Sequence, residues 1–459
     1  MKIRTRLSPS PTGKLHLGNV HTFLFNYAFT KHQDGEMLLR FEDTDKARNQ
    51  PGSVEDIQDA LQWLGLHWNE EPTFQSQSHA DYQEFAQQLV ESGDAYYCYH
   101  TAEELEAERQ EQESRGQAPR YCGKCRSLTA EQIQKYEQEG RKPSIRFRMT
   151  GENRPKEIKY NDLVFGEISY NPEDIGDFVI IRSDRSALYN FANVIDDNAT
   201  GITHVVRGNS HLTNTPRQIL LYQALGFPVP EFGHLPDILN PDRVGKLSKR
   251  YGAVAVTELR DKGYLPEALV NFLGSLGWSH PEGKEFFDLA EMIRVFDFSR
   301  VSKAPPAVDL DKLDFYNAHY LRQLSDEDFL SYVKDELPED QLATVKMIAP
   351  LLRERVVNKA DVHKYADYFF TDPTKPEFKF ADYNKVLQLS VESLENLDDW
   401  TKENIEQNLR SVQQESSIKP KDFFVTIGQA ISGQEVFLPL FDSLEILGKE
   451  KVLHRLRQN

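Results

Sequence analysis

The sequence has few cysteines and no long apolar run. Only three of its 459 residues are cysteine, an odd number that argues against a disulfide scaffold and indicates a reducing compartment. No apolar run approaches the roughly 20 residues that cross a bilayer. The basic residues 1–6 are not followed by the apolar segment of a signal peptide. We therefore expect a cytoplasmic protein with no membrane partner.

Positive charge is also in short supply. The formal net charge is −18, whereas proteins that bind nucleic acid through its phosphates need Lys and Arg at the contact. Net charge averages over the whole surface, however, and a basic stripe can lie on an acidic protein. Composition therefore leaves a nucleic-acid partner open.

Glycine is scarce in the last third of the chain. Of 25 glycines, only three follow residue 312. Because glycine supplies tight turns, the first two-thirds read as a mixed α/β region. Apolar residues in 343–368 and 443–456 recur every three or four positions, which is typical of amphipathic helices. We predict a domain boundary near 305–320 and a helical region after it.

The opening segment predicts a ligand-binding unit. Residues 3–7 fit a buried strand, 8–13 a loop, 17–31 an apolar helix and 36–41 a second strand. In open α/β sheets, ligands bind at the carboxyl ends of the strands, where this loop would lie. The N-terminus of the helix would offer free N–H groups to a phosphate.

Two short motifs could act on phosphates. His16 and Asn19 lie three residues apart at a predicted helix start, where an imidazole and an amide can stabilise phosphate oxygens, and Gly18 allows close approach. Taken alone, a chance histidine at a helix start explains this motif equally well. The second motif, KLSKR at 246–250, could hold a diphosphate, but such a run is more often a solvated loop.

Together the two motifs carry a family resemblance. PSPTGKLHLGN at 9–19, followed by KLSKR, resembles the paired signatures of class I aminoacyl-tRNA synthetases. RFEDTD at 40–45, WLGL at 63–66 and NTPRQ at 214–218 are similar to the glutamyl branch, as is the terminal segment 447–456.

This resemblance runs nearly end to end and implies an α/β fold with a Rossmann-type parallel-sheet catalytic domain, an inserted acceptor-binding domain and an all-helical anticodon-binding domain. The implied parts are 1–97, the first half of the catalytic domain; 98–188, the inserted acceptor-stem-binding domain with a zinc knuckle; 189–250, the second catalytic half, ending in the KLSKR loop; 251–314, a connecting stem-contact region; and 315–459, the anticodon-binding domain.

The resemblance also implies the reaction. A glutamate–tRNA ligase joins L-glutamate to tRNA(Glu) through a glutamyl-adenylate and releases AMP and diphosphate. By resemblance, the catalytic residues are His16, Asn19, Lys246 and Lys249, and the same four bind ATP with Gly18 and Ser248. Mg²⁺ is expected with ATP, held largely through phosphates and water. The family favours a monomer, and tRNA(Gln) is left open as a second acceptor.

Recognition of glutamate requires a cation for its γ-carboxylate. Arginine is the natural partner through bidentate hydrogen bonds, although either Arg6 or Arg207 alone would suit a structural ion pair. Glu42 can accept from the substrate ammonium group. By resemblance, the amino-acid pocket consists of Arg6, Ser8, Ser10, Glu42, Tyr189, Asn193 and Arg207.

Two rival functions are considered. Glutaminyl enzymes resemble the catalytic half but lack an arginine at position 207 and, in the eukaryotic type, carry β-barrel anticodon domains. A non-catalytic RNA-binding relative has no reason to keep both signatures. Two departures from the family pattern are present: Asn209-Ser210 replaces an acidic pair, which leaves nucleotide contacts there open, and Ser78 replaces an arginine.

A C-x-H and a C-x-x-C pattern predict a structural zinc site. Cys98, His100, Cys122 and Cys125 form a ligand set that suits tetrahedral Zn²⁺. In related sites Tyr121 is an alternative ligand or a neighbour. The other interpretation is three reduced cysteines without a metal.

Two arginines of the tail are candidates for anticodon recognition. Arg353 and Arg355 lie at or near the place where the family keeps an anticodon-reading arginine. An arginine there can pair with a guanine or contact a phosphate. A surface role in solubility is the alternative for either residue.

Overall fold

The structure, a computed structural model, describes residues 2–45, 47–152, 154–247 and 255–459. The predictions for Ser248 and Lys249 lie outside these residues. The chain divides into two compact units, one formed by residues 1–258 and 270–309 and the other by 259–269 and 310–459. The five-part division predicted from the sequence remains a prediction.

The strands of the described residues form a parallel arrangement and a separate antiparallel sheet. They are β1 (Arg4–Leu7), β2 (Glu36–Phe41), β3 (Thr73–Phe74), β4 (Ala95–Cys98), β5 (Ser144–Phe147), β6 (Ile158–Asp162), β7 (Gly166–Tyr170), β8 (Phe178–Ile181), β9 (His204–Gly208) and β10 (Glu231–Leu235). The order β1-β2-β3 is parallel, and β9, β10 and β6 are parallel with β7 antiparallel at their edge. The amide of Thr203 donates to the Arg4 carbonyl at 2.9 Å and links the two rows. The antiparallel sheet has the order β4-β5-β8.

Helices supply the rest of the described secondary structure. They are α1 (Leu17–His32), α2 (Ser53–Trp63), α3 (His79–Glu91), α4 (Ala102–Ser114), α5 (Ala130–Gln138), α6 (Pro172–Ile175), α7 (Tyr189–Ala199), α8 (Thr215–Leu225), α9 (Val256–Asp261), α10 (Pro266–Ser275), α11 (Leu289–Val295), α12 (Leu310–Gln323), α13 (Asp326–Val333), α14 (Leu342–Arg353), α15 (Lys359–Phe370), α16 (Tyr383–Glu395), α17 (Lys402–Ser416), α18 (Pro420–Ser432), α19 (Leu440–Leu447) and α20 (Lys449–Gln458). Within the described ranges, none of them is both long and apolar enough to span a bilayer.

The predicted strand-loop-helix-strand unit is present as β1, α1 and β2, with limits that differ from the prediction by no more than one residue. Helix α1 is largely apolar and is therefore covered on several sides by other elements. Its residues Leu24 and Phe25 are completely buried. Each such side chain contributes about 1.5–3 kcal/mol relative to an exposed one. This burial fixes the helix N-terminus next to the end of β1.

The second unit is helical from α12 to α20, as the glycine-poor tail predicts. Its core includes the fully buried Phe423 and Ile427 of α18. Arg455 of α20 is buried and donates to the carbonyls of Tyr368 and Ile431, both at 2.8 Å. Because the last carbonyls of a helix have no partner within the helix, this arginine satisfies groups that burial would otherwise make costly.

Candidate active site

A cavity of about 520 Å³ opens where β1 and β9 end and α1 begins. Its lining includes nine of the residues predicted from the sequence: Arg6, Ser8, Ser10, Gly18, Asn19, Glu42, Tyr189, Arg207 and Lys246. These residues lie far apart in the chain. The parallel strands bring them together because their carboxyl ends meet at one edge of the sheet.

The first predicted motif lies at the start of α1. His16 is the N-cap residue, with extended backbone angles (φ −102°, ψ 155°), and its carbonyl accepts from the Asn19 amide at 3.0 Å. Asn19 is exposed on the cavity, whereas His16 is not one of the lining residues. The His16 Nδ1 atom is buried and has no hydrogen-bond partner in the described part of the chain. A β-carbon added at Gly18 would meet no atom within 4 Å, so the cavity has room for a ligand at this turn.

Lys246 reaches the cavity from the second motif. Its Nζ lies 2.8 Å from Asp237 Oδ2, and its side chain is 58% exposed. Asp237 also lines the cavity and was missed by the sequence analysis. An isolated antiparallel bridge pairs Lys246 with Leu239, four residues after the end of β10.

Arg6 is anchored to a buried carboxylate. Its Nε donates to Asp197 at 2.9 Å, and Arg40 Nη1 lies 2.6 Å from the same oxygen. Although burial opposes it, the charges of Arg40 and Arg6 lower the pKa of Asp197. Asn193 accepts from Arg40 at 2.7 Å and is 1% exposed, so it supports the cavity from behind and is not among its lining residues.

Arg207 is buried without an acidic partner among the described residues. It is 6% exposed. Its contacts are all neutral: Nη2 donates to Thr215 Oγ1 at 2.8 Å, Nε to His234 Nε2 at 3.2 Å and Nη1 to the Tyr189 hydroxyl at 3.4 Å. A buried charge of this kind is costly unless an opposite charge pairs with it. The cavity therefore presents a positive group that is suited to a carboxylate.

Glu42 provides the opposite charge on the same lining. Burial raises its pKa, against the effects of the Arg40 and Arg6 charges and a hydrogen bond from Asn193. The backbone amide of Glu42 donates to the Pro9 carbonyl at 3.0 Å, and this hydrogen bond connects Glu42 to the loop that follows β1. The carboxylate is suited to an ammonium group that enters the cavity.

Polar groups between these charges complete the cavity. Ser8 Oγ is buried and, within the described ranges, has no hydrogen-bond partner, and Ser10 is exposed. His211 lines the cavity with its ring centroid 5.3 Å from that of Tyr189. Burial and the Arg207 charge lower the pKa of His211 to about 4, so its ring is neutral at pH 7. His211 is not among the site residues predicted from the sequence.

Three of the four predicted zinc ligands lie together in the first unit. The ligand atoms of Cys98, His100 and Cys125 are all within 4.8 Å of one another. His100 Nδ1 lies 3.9 Å from Cys98 Sγ and 3.4 Å from Cys125 Sγ. Ligands of a tetrahedral zinc ion are about 3.3–3.8 Å apart for the usual Zn–S and Zn–N bond lengths. The 3.4 Å distance falls within this range and the 3.9 Å distance lies just above it, so the group comes close to the dimensions of a zinc site.

The fourth predicted ligand, Cys122, is not part of this group. Cys122 is exposed and forms a separate group with Glu108 and the shared His100. Gly123 follows it with a φ of +80°, a left-handed turn that separates Cys122 from the buried Cys125. The Tyr121 hydroxyl lies closer to the inner group, 3.0 Å from His100 Nδ1 and 3.5 Å from Cys98 Sγ.

The two tail arginines differ in their surroundings. Arg353 donates to the Leu324 carbonyl at 2.9 Å, lies 2.7 Å from Asp326 Oδ1 and is 21% exposed at its side chain. Arg355 is exposed, and the described residues give it no side-chain partner. Arg353 therefore connects α13 to α14, and Arg355 is the one available to a ligand.

Comparison with protein families covers almost the whole chain. Residues 2–315 match the family described as "tRNA synthetases class I (E and Q), catalytic domain". Residues 318–459 match the family described as "Anticodon binding domain".

Individual proteins agree with this assignment. The chain is 43% identical to the glutamate–tRNA ligase of Symbiobacterium thermophilum, over 99% of each chain. It is 40% identical to the glutamate–tRNA ligase of Bacillus subtilis, again over 99% of each. The crystal structure of a glutamate–tRNA ligase from Elizabethkingia meningosepticum, in complex with its amino acid, superimposes with a TM-score of 0.88 at 32% identity and covers 100% of this chain and 99% of that one.

Proposed function

The chain belongs to the glutamate–tRNA ligases, which are class I aminoacyl-tRNA synthetases, and we propose how its cavity performs their reaction. The protein joins L-glutamate to tRNA(Glu) with ATP, through a glutamyl-adenylate, and releases AMP and diphosphate. Mg²⁺ accompanies ATP. The observation that carries the choice of amino acid is the buried Arg207, whose described contacts are all neutral.

Arg207 and Glu42 orient the amino acid. The γ-carboxylate of glutamate pairs with Arg207 through the guanidinium edge that Tyr189 also faces, and the α-ammonium group pairs with Glu42. Arg6 adds positive potential, but its ion pair with Asp197 already offsets part of its charge. Ser8 and Ser10 offer hydroxyls to the α-carboxylate. This arrangement holds the nucleophilic carboxylate in place, which is the main contribution an enzyme makes to such a displacement.

ATP occupies the other side of the cavity, between α1 and Lys246. The open space at Gly18 admits the phosphates, and Asn19 and the free N–H groups of the helix start bind their oxygens. His16 Nδ1 has no described partner and turns to a phosphate oxygen when ATP is bound. When ATP binds, Lys246 leaves Asp237 and binds the leaving diphosphate. The family resemblance assigns Ser248 and Lys249 to the phosphates of ATP as well. Positive charge at this position stabilises the transition state.

A structural zinc ion would be held by Cys98, His100, Cys125 and the Tyr121 hydroxyl. The Tyr121 hydroxyl lies 3.0 Å from His100 Nδ1 and 3.5 Å from Cys98 Sγ, whereas Cys122 is exposed and not part of this group, which supports Tyr121 as the fourth ligand. Arg146 is buried and donates to Cys98 Sγ at 3.2 Å, which favours the thiolate that a metal needs. Four protein ligands leave no open position, so the ion would stabilise the fold without taking part in the reaction.

Aminoacylation with purified components tests the function. Labelled glutamate and, separately, labelled glutamine are offered with ATP to purified tRNA(Glu) and tRNA(Gln). We expect glutamate on tRNA(Glu), and charging of tRNA(Gln) as well would make the enzyme non-discriminating. No charging by folded protein would contradict the function. We further expect a monomeric, cytoplasmic enzyme, which sedimentation and cell fractionation can check.

A further inference from the structure

Three neighbouring strands place a row of buried polar side chains behind the cavity. Arg207 of β9 is the register partner of His234 of β10, and Asp162 ends β6 on the other side. The side chains of His234 and Asp162 are both 0% exposed, and neither residue is on the cavity lining. The row therefore reaches from the cavity into the sheet.

The hydrogen bonds of this row have a fixed direction. Asp162 Oδ1 accepts from the amides of Val164 and Phe165 at 3.0 and 2.9 Å, and Oδ2 lies 2.6 Å from His234 Nδ1. A carboxylate with these contacts can only accept, so Nδ1 carries the proton. The other ring nitrogen, Nε2, is then an acceptor for the Nε–H of Arg207 at 3.2 Å.

We propose that Asp162 and His234 are positioning residues that determine the preference for glutamate, by holding the Arg207 guanidinium through a single histidine tautomer. The inference rests on the proposed function, in which Arg207 binds the γ-carboxylate. His234 and Thr215 occupy the Nε and Nη2 groups, along one edge of the guanidinium. The end formed by Nη1 and Nη2 stays directed at the ligand.

A neutral imidazole suits this task better than a carboxylate would. A carboxylate in contact with Arg207 would neutralise it and compete with the substrate for the same N–H groups. An imidazole fixes the orientation of the guanidinium and leaves its charge for the ligand. Asp162 contacts the Nδ1 side of the imidazole, away from Arg207. It keeps the ring in the tautomer whose Nε2 accepts a hydrogen bond, as carboxylates do for metal-bound histidines.

Asp162→Asn would reverse the donor and acceptor roles in the hydrogen bonds of this row. The asparagine oxygen can keep the backbone amides, but its NH₂ then faces His234 Nδ1 and moves the ring proton to Nε2, against Arg207. Two variants of His234 are matched to this one. In His234→Gln the amide can still donate to Asp162 and accept from Arg207, and in His234→Leu it can do neither.

Aminoacylation kinetics test whether Asp162 and His234 position Arg207 for glutamate. We expect Asp162→Asn and His234→Leu to raise the KM for glutamate about 10- to 100-fold and to reduce glutamate over glutamine selectivity, with the KM for ATP nearly unchanged. We expect His234→Gln to stay close to the wild type. Nitrogen-15 spectra of histidine-labelled protein should show the change of tautomer in Asp162→Asn.

The following results would contradict the proposed role of Asp162 and His234. A folded Asp162→Asn protein with wild-type KM and selectivity for glutamate overturns the proposal. If that variant does not fold, wild-type selectivity in His234→Leu, or a His234→Gln protein as impaired as His234→Leu, overturns it equally. Absence of charging by the wild type would instead refute the proposed function, so the two failures can be told apart.

Discussion

Replacement of Arg207 by glutamine is the most informative perturbation of the site. The side chain is 6% exposed and has only neutral described partners, so glutamate supplies the missing opposite charge. Removal of one member of a buried charge pair costs about 2–5 kcal/mol, or about 30- to 5,000-fold in kcat/KM. Because glutamine removes a buried, unpaired charge but also loses hydrogen bonds of the guanidinium, two effects of opposite sign, we expect little change in the melting temperature.

Steady-state aminoacylation of tRNA(Glu) measures this effect. We expect Arg207→Gln to lose kcat/KM for glutamate by the stated factor, to keep the KM for ATP, and to lose much less with glutamine as the substrate. Arg294→Gln is the control, because Arg294 is 62% exposed at its side chain and, in the part of the chain that the structure describes, its ion-pair partner is Glu291 on the same helix. An unchanged kcat/KM for glutamate in a folded Arg207→Gln protein, or an equal loss for both amino acids, would refute the reasoning.

Three further predictions concern other parts of the chain. Gly18→Ala should keep the melting temperature, since the added β-carbon meets no atom within 4 Å, but should raise the KM for ATP about tenfold; an unchanged KM would place the phosphates elsewhere. Cys122→Ser should retain about one zinc per chain in metal analysis and Cys125→Ser should lose it, whereas equal loss in both would restore Cys122 as a ligand. Arg355→Gln should raise the KM for tRNA about 5- to 150-fold, while Arg353→Gln should mainly lower stability, by about 1 kcal/mol in thermal unfolding; the reverse pattern would contradict the assignment.

Local sequence patterns predicted the opening unit well. The limits of β1, α1 and β2 follow from apolar runs, a glycine stop and a loop, all of which act over a few residues. The helical tail was predictable for the same reason, because its apolar spacing and lack of glycine are local properties. The nine predicted residues on the cavity lining came from motifs with a family resemblance.

Contacts across strands could not be predicted in the same way. Asp162 and His234 lie 72 positions apart, and no spacing rule joins them, since their contact depends on which strands become neighbours. The zinc group shows the same limit. A C-x-x-C pattern predicts Cys122 as a ligand, and it does not indicate that this thiol is exposed or that the Tyr121 hydroxyl lies 3.0 Å from His100 Nδ1.

A crystal structure with a non-hydrolysable glutamyl-adenylate analogue would test the proposed binding of glutamate. We expect the γ-carboxylate to lie within hydrogen-bond distance of Arg207 Nη1 and Nη2, with the α-ammonium group at Glu42 and the phosphate near Asn19. An analogue bound in this cavity with its γ-carboxylate away from Arg207, or bound outside the cavity, would contradict it.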